Sequence, residues 1–113
     1  MCGIVGYWDK QGANTSVVEK MALKIQHRGP DGAGVWLNQA ADLAMAHRRL
    51  AILELSPAGH QPMVSPCDRF TLVFNGEIYN HLDLRVDLER EDGHFDWRGH
   101  SDTETLLAAL RHW

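Results

Sequence analysis

Met1-Cys2-Gly3-Ile4-Val5-Gly6-Tyr7-Trp8 opens the chain, and its reading governs everything after it. Gly3 to Trp8 is apolar, with β-branched Ile4 and Val5 and aromatic Tyr7 and Trp8, which predicts a short buried strand. Cys2 stands directly before that strand, behind only Met1. With Met1 removed, Cys2 would carry a thiol and a free α-amino group on one residue. Their ordinary pKa values lie near ~8.5 and ~7.7–8. An amine in that range serves as a general base near neutral pH, which is the logic of an N-terminal nucleophile.

Outward from this strand, Asp9 to Asn14 is turn chemistry. Ser16 with Glu19 reads as a capping box, and Val18, Met21, Ala22 and Ile25 follow at helical spacing. Pro30 ends that helix near Arg28-Gly29. Gly29 to Gly34 reads as a tight glycine turn; it lacks the Lys-Ser/Thr ending of a phosphate-binding loop. Strands are expected at Gly34 to Leu37, Leu43 to Leu55 and Arg69 to Phe74, with a loop from Ser56 to Pro66. Leu82, Leu84, Val86 and Leu88 fit a strand by alternation, but the charged, β-poor residues between them favour a helix. Ser101 and Glu104 form a second capping box, ahead of a last helix whose apolar face is Leu106, Leu107 and Leu110, running to Trp113. A helix still running there suggests a longer parent chain. The order of elements predicts an α+β fold.

At 113 residues the chain has the length of one domain. Its 44% hydrophobic and 23% charged residues exclude wholesale disorder. No apolar run reaches the ~18 residues of a membrane span, and no basic-then-apolar leader opens the chain. The net charge of −4, with no basic groove in the sequence, argues against sequence-independent nucleic-acid binding. A cytoplasmic location follows as the expectation. It argues against a Cys2–Cys67 disulfide, leaving Cys67 as a loop or packing thiol. Seven histidines include no His-Glu-x-x-His pattern, and no Cys-x-x-Cys pair is present; His94 and His100 lack ligand spacing, so no metal site is expected.

Five blocks then speak together: the opening Met-Cys-Gly-Ile-Val-Gly; His27-Arg28-Gly29-Pro30-Asp31-Gly32; His47 to Ile52 with Ser56 to Met63; Asn75-Gly76-Glu77-Ile78-Tyr79-Asn80; and Ser101-Asp102-Thr103-Glu104. In this order and spacing the chain resembles the class II, N-terminal-nucleophile glutamine amidotransferase domain of glutamine-hydrolysing asparagine synthases. The resemblance spans residues 1–113 and implies a four-layer α-β-β-α sandwich, incomplete in this chain. It makes Cys2 the nucleophile toward the glutamine side-chain amide, with Asn75 and Gly76 as oxyanion donors. It gives Arg49 the glutamine α-carboxylate and Glu77 and Asp102 the α-ammonium, with Arg49, Leu50, Ala51, Ile52 and Leu53 lining the pocket.

The resemblance also implies partners: L-glutamine, an ATP- and Mg-using synthetase domain absent from this chain, and a homodimer in the parent. No cofactor is expected in the chain itself. Each residue also has a plain structural reading. Asn75-Gly76 is a strong hairpin signal, Arg48 and Arg49 fit solvated charges, and Asp102 suits a helix N-terminus. Two other functions stand beside glutamine hydrolysis: a non-catalytic glutamine-binding domain, and an amidotransferase feeding a sugar-phosphate or phosphoribosyl acceptor. The intact Cys2 favours catalysis over the first. The His27-to-Gly32 and Asn75-to-Asn80 blocks favour the asparagine-synthase branch over the second.

Overall fold

A computed structural model describes residues 1–52 and 54–113. Strand β1 (Gly3–Trp8) leads to helix α1 (Thr15–Lys24) and a 3-10 turn at Gln26–Arg28; β2 (Gly32–Asn38) and β3 (Leu43–Arg49) follow. The central strand is β3, antiparallel to β1 on one side and to β2 on the other. A second 3-10 turn (Pro57–Gly59), β4 (Met63–Val64), β5 (Thr71–Leu72), α2 (His81–Asp92) and α3 (Asp102–His112) complete the order. The β4 and β5 strands pair antiparallel in a small separate sheet. This is an α+β arrangement, as the element order predicts.

Successive side chains of β3 face opposite ways. Ala44 and Ala46 pack with Ala13 and with Val18 and Ala22 of α1 in an apolar core, bordered by half-buried Val5, Tyr7, Val35 and Leu37. His47 and Arg49 point to the other side, toward a cleft.

Several boundaries move, most of them because a side chain takes a backbone donor. Asn14, not Ser16, caps α1: its Oδ1 accepts the Val17 N–H at 3.0 Å. The Tyr7 hydroxyl accepts the Asn14 N–H and donates to the Asn14 carbonyl, fixing the helix start on β1. Ser16 and Glu19 therefore lie inside the helix. The glycine turn is shorter than expected, because Gly32 and Ala33 already pair with Arg49 and Arg48 in the sheet. At Gly29 a side chain is excluded, since a Cβ would collide with the Arg48 backbone.

The strand expected from Leu43 to Leu55 stops at Arg49. Beyond it the Leu50 N–H turns to the Cys2 sulfur and the Ala51 N–H to Asp31 Oδ2. The strand expected from Arg69 to Phe74 shrinks to Thr71–Leu72, with the Phe70 and Phe74 N–H groups donating to Ser65 Oγ and Gln61 Oε1. The expected Ser56-to-Pro66 loop carries the second 3-10 turn and β4.

Residues 82–88 are helical, within α2. Of the expected face of α3, Leu107 is buried, Leu106 half-buried and Leu110 exposed; the buried surface begins with the polar run Asp102 to Thr105. Arg85 of α2 is buried against that run. It donates to Thr105 Oγ1 and to the Gly99 and Ser101 carbonyls, pairs with Glu104 at 3.6 Å, and lies over the Trp97 ring at 4.1 Å. Burial lowers the Arg85 pKa, and Glu104 opposes that lowering. Among the described residues no helix is long and apolar enough to cross a membrane.

Candidate active site

One open cleft of about 340 Å³ gathers residues that lie far apart in sequence. Cys2 reaches it from the start of β1. Gly3 pairs with Arg48 in β3, so the residue after β3, Leu50, falls beside Cys2. The Leu50 N–H donates to Cys2 Sγ at 3.3 Å, the thiol lies 3.6 Å from the Leu50 carbonyl, and Arg28 Nε donates to the Cys2 carbonyl at 3.2 Å. The thiol is half-buried and free of any disulfide, as is Cys67. Met1 also borders the cleft and is largely exposed.

Arg49 leaves the end of β3 toward the second 3-10 turn, its Nη1 donating to the Ser56 carbonyl at 3.0 Å. Gly59 gives it room: a Cβ there would sit 2.5 Å from Arg49 Nη2. Among the described residues no carboxylate pairs with this guanidinium, so its remaining donors stay available to an anion in the cleft.

Asn75 and Gly76 follow β5 on a segment that runs on to α2 and forms no hairpin there. Asp102 is the first residue of α3, behind the capping Ser101, whose Oγ accepts the Thr103 N–H. Its Oδ2 accepts the Ile78 N–H at 2.8 Å. Glu77, just before Ile78, lies exposed and borders the cleft. Glu104 does not close a capping box with Ser101. Its carboxylate instead accepts the Arg98 and Gly99 N–H groups and pairs with Arg85 and Arg98.

Of the residues singled out in the sequence, Cys2, Arg49, Leu50, Ile52, Asn75, Gly76, Glu77 and Asp102 all border this cleft. Ala51 does not; its N–H is engaged by Asp31. Leu53 lies outside the described residues.

A search over all 113 residues matches the family of the glutamine amidotransferase domain from residue 1 to residue 113. The chain belongs to that family. It is 36% identical to asparagine synthetase [glutamine-hydrolyzing] 1 of Bacillus subtilis over 118 residues, which cover all of this chain and 18% of that protein. It is 39% identical over 111 residues to the probable asparagine synthetase [glutamine-hydrolyzing] of Dictyostelium discoideum, covering 95% of this chain and 19% of the relative. The amidase chry2 of Gibberella zeae is 33% identical over 125 residues, again with 18% of its length covered. This glutamine amidotransferase domain thus spans about a fifth of the length of these relatives.

The domain's cleft also has walls to which the sequence reading gave no role. His47 is 1% exposed, with its Nε2 unpartnered among the described residues. Burial holds its pKa below the ordinary 6.5, with Arg49 and His60 adding to the lowering and the Phe74 backbone opposing it. Glu54 accepts the His100 N–H at 2.6 Å and the Ser56 N–H at 3.0 Å, which with the Ser56 hydroxyl pull its pKa down to about 2. Gln61, Phe74 and Thr103 line the floor. The sequence signal for His47 was its place in the His47-to-Ile52 block. Gln61 and Thr103 likewise lie within the Ser56-to-Met63 and Ser101-to-Glu104 blocks, which gave them no role, while Glu54 falls between blocks and acts through His100, distant in sequence. Among the described residues no group of three or more His, Cys, Asp or Glu side chains converges as metal ligands would.

Proposed function

We propose that this chain is the glutamine-hydrolysing part of an asparagine synthetase-like enzyme. The observation that carries the reading is the convergence on one cleft of a thiol at Cys2, a guanidinium at Arg49, amide donors at Asn75 and Gly76, and carboxylates at Glu77 and Asp102. Glutamine presents a carboxylate, an ammonium and a side-chain amide, and this set is complementary to all three. Arg49 takes the α-carboxylate as a forked donor, and Glu77 with the second oxygen of Asp102 takes the α-ammonium.

Removal of Met1 frees the Cys2 amine to draw the proton from the thiol. The sulfur attacks the amide carbon, a C–S bond forms, and the carbonyl π pair moves onto oxygen. There the Asn75 side-chain amide and the Gly76 N–H stabilise the oxyanion, each such donor being worth ~2.7–4 kcal/mol in a comparable hydrolase. Collapse breaks the C–N bond, the Cys2 ammonium delivers its proton to the departing nitrogen, and ammonia leaves. Water then attacks the thioester and releases glutamate and the thiol. ATP and Mg²⁺, in this reading, serve a separate domain of the parent, which amidates aspartate or a related acceptor. The parent is a cytoplasmic enzyme, active as a homodimer.

The test is glutamine turnover by the intact gene product. Cys2→Ala should abolish glutamate and ammonia formation while sparing synthesis from added ammonia. Arg49→Ala should lower kcat/KM by roughly 30-fold or more, the size of a lost charged contact. Wild-type binding of glutamine without turnover would instead support a binding domain. Turnover surviving in Cys2→Ala would move the nucleophile elsewhere.

A further inference from the structure

Asn75, Gly76 and Glu77 have no helix or strand to hold them, yet the segment is fixed at both ends. At its leading end the Phe74 N–H donates to Gln61 Oε1 at 2.6 Å. At its trailing end the Ile78 N–H donates to Asp102 Oδ2 at 2.8 Å. Gln61 is itself held: its Nε2 donates to Thr103 Oγ1 at 3.2 Å. Both pins therefore end on consecutive residues in the first turn of α3. Gln61 is 7% exposed and Thr103 3%, so the bond between them is shielded from bulk water. The backbone of Gln61 is seated as well. A Cβ on Gly34 of β2 would collide with the Gln61 carbonyl oxygen, and only a glycine lets that loop lie on the sheet.

We infer that Gln61 is a positioning residue for glutamine hydrolysis, holding Phe74 so that the Asn75 and Gly76 donors stand at a fixed place beside Cys2. The inference rests on the glutaminase reading above and goes beyond it, because Gln61 touches neither glutamine nor the thiol in that mechanism. A primary amide suits the task. It accepts and donates at once, and it brings no charge near the carboxylate of Asp102. Oxyanion donors act through preorganisation, so a displacement of about 1 Å costs ~10²-fold in rate. Of the residues that set substrate affinity, Arg49 and Asp102 lie off this segment and Glu77 adjoins the Ile78 pin, so affinity depends on Phe74 far less than the donors do.

The test compares wild type, Gln61→Leu, Thr103→Val and Thr103→Ser in the intact protein. Gln61→Leu keeps the bulk and removes both bonds. Its kcat for glutamine should fall at least ~tenfold with KM within about threefold of wild type. Alkylation of Cys2 by iodoacetamide, which needs no oxyanion hole, should proceed at the wild-type rate. Deuterium exchange at Phe74 should quicken. Thr103→Val should reproduce part of the kcat loss, and Thr103→Ser should restore it.

An unchanged kcat in Gln61→Leu beside an active wild type overturns the positioning role alone. So does a parallel loss of kcat, glutamine affinity and thiol reactivity, which marks general unfolding. Equal exchange at Phe74 in wild type and variant removes the pin. A wild type that does not hydrolyse glutamine overturns the glutaminase reading itself, and the positioning role with it.

Discussion

The two halves of the molecule hold together by different physics. On one side of the main sheet, α1 lies on β3 through Val18, Ala22, Ala44 and Ala46, all small and apolar. Where α2 meets α3, the buried surface of α3 is a polar run from Asp102 to Thr105, and Arg85 fills the gap with three hydrogen bonds and an ion pair. Apolar packing is non-directional and graded by volume. A buried guanidinium is directional and unforgiving, because each donor needs its acceptor and the charge needs its counter-charge. The cleft is built from both halves: β3 supplies Arg49, and α3 supplies Asp102 and Thr103. A tolerant region and an exacting one therefore share one site.

Urea unfolding of variants measures how deep this difference goes. The largest effect should come from Arg85→Met, which strips Glu104 of its buried partner and should cost about 3–5 kcal/mol. Adding Glu104→Leu should recover part of that loss, a coupling that two independent sites would not show. Next comes Val18→Ala in the apolar half: two methyl groups at ~0.8 kcal/mol each, plus a cavity term, give about 2–3 kcal/mol. Equal losses at Arg85 and Val18 with no coupling to Glu104 would erase the contrast.

The smallest effect concerns Glu54 at the rim. Its folded-state pKa of about 2 lies below its ordinary 4.5, so its contribution is present above 4.5 and is lost as the pH falls toward 2. Glu54→Gln should lower stability by a constant amount above pH 4.5, and the gap to wild type should close as the pH falls toward 2, which flattens the acid limb between those values. A limb of unchanged slope would assign acid sensitivity to other carboxylates.

The same contrast explains what the sequence made legible. α1 could be read from its local apolar spacing, β1 from its apolar β-branched run, although Ile4 and Trp8 lie exposed, and α2 from residue type against its apolar alternation. The β3 and β5 boundaries could not, because Cys2, Asp31, Ser65 and Gln61 take backbone donors from across the fold. For the cleft, the motif blocks named Cys2, Arg49, Asn75, Gly76, Glu77 and Asp102, and all six border it. In the sequence Arg85 is only one of the charged residues between the α2 leucines, and Gln61 one member of the Ser56-to-Met63 block, with no role given to either. Each is defined by its bonds to α3, and nothing in its own neighbourhood announces them.

The paired pins on α3 also set where the chain can change length. Phe74, through Gln61, and Ile78 directly are moored to neighbouring residues of a helix that rises only ~1.5 Å per residue, so the span between them has a fixed number of links. One residue added or deleted there would tear one mooring loose or throw the Asn75 and Gly76 donors out of place. The stretch 93–97, between α2 and the Arg98–Gly99 contacts with Glu104, is held toward its far end. There Phe95 is buried beneath Arg111, and Trp97 lies under Arg85 and donates to Glu89 Oε1 at 2.7 Å, while a Cβ on Gly93 would meet nothing within 4 Å. Descendants of this sequence are free to lengthen or shorten near Gly93, and they are bound to keep the count between Phe74 and Ile78.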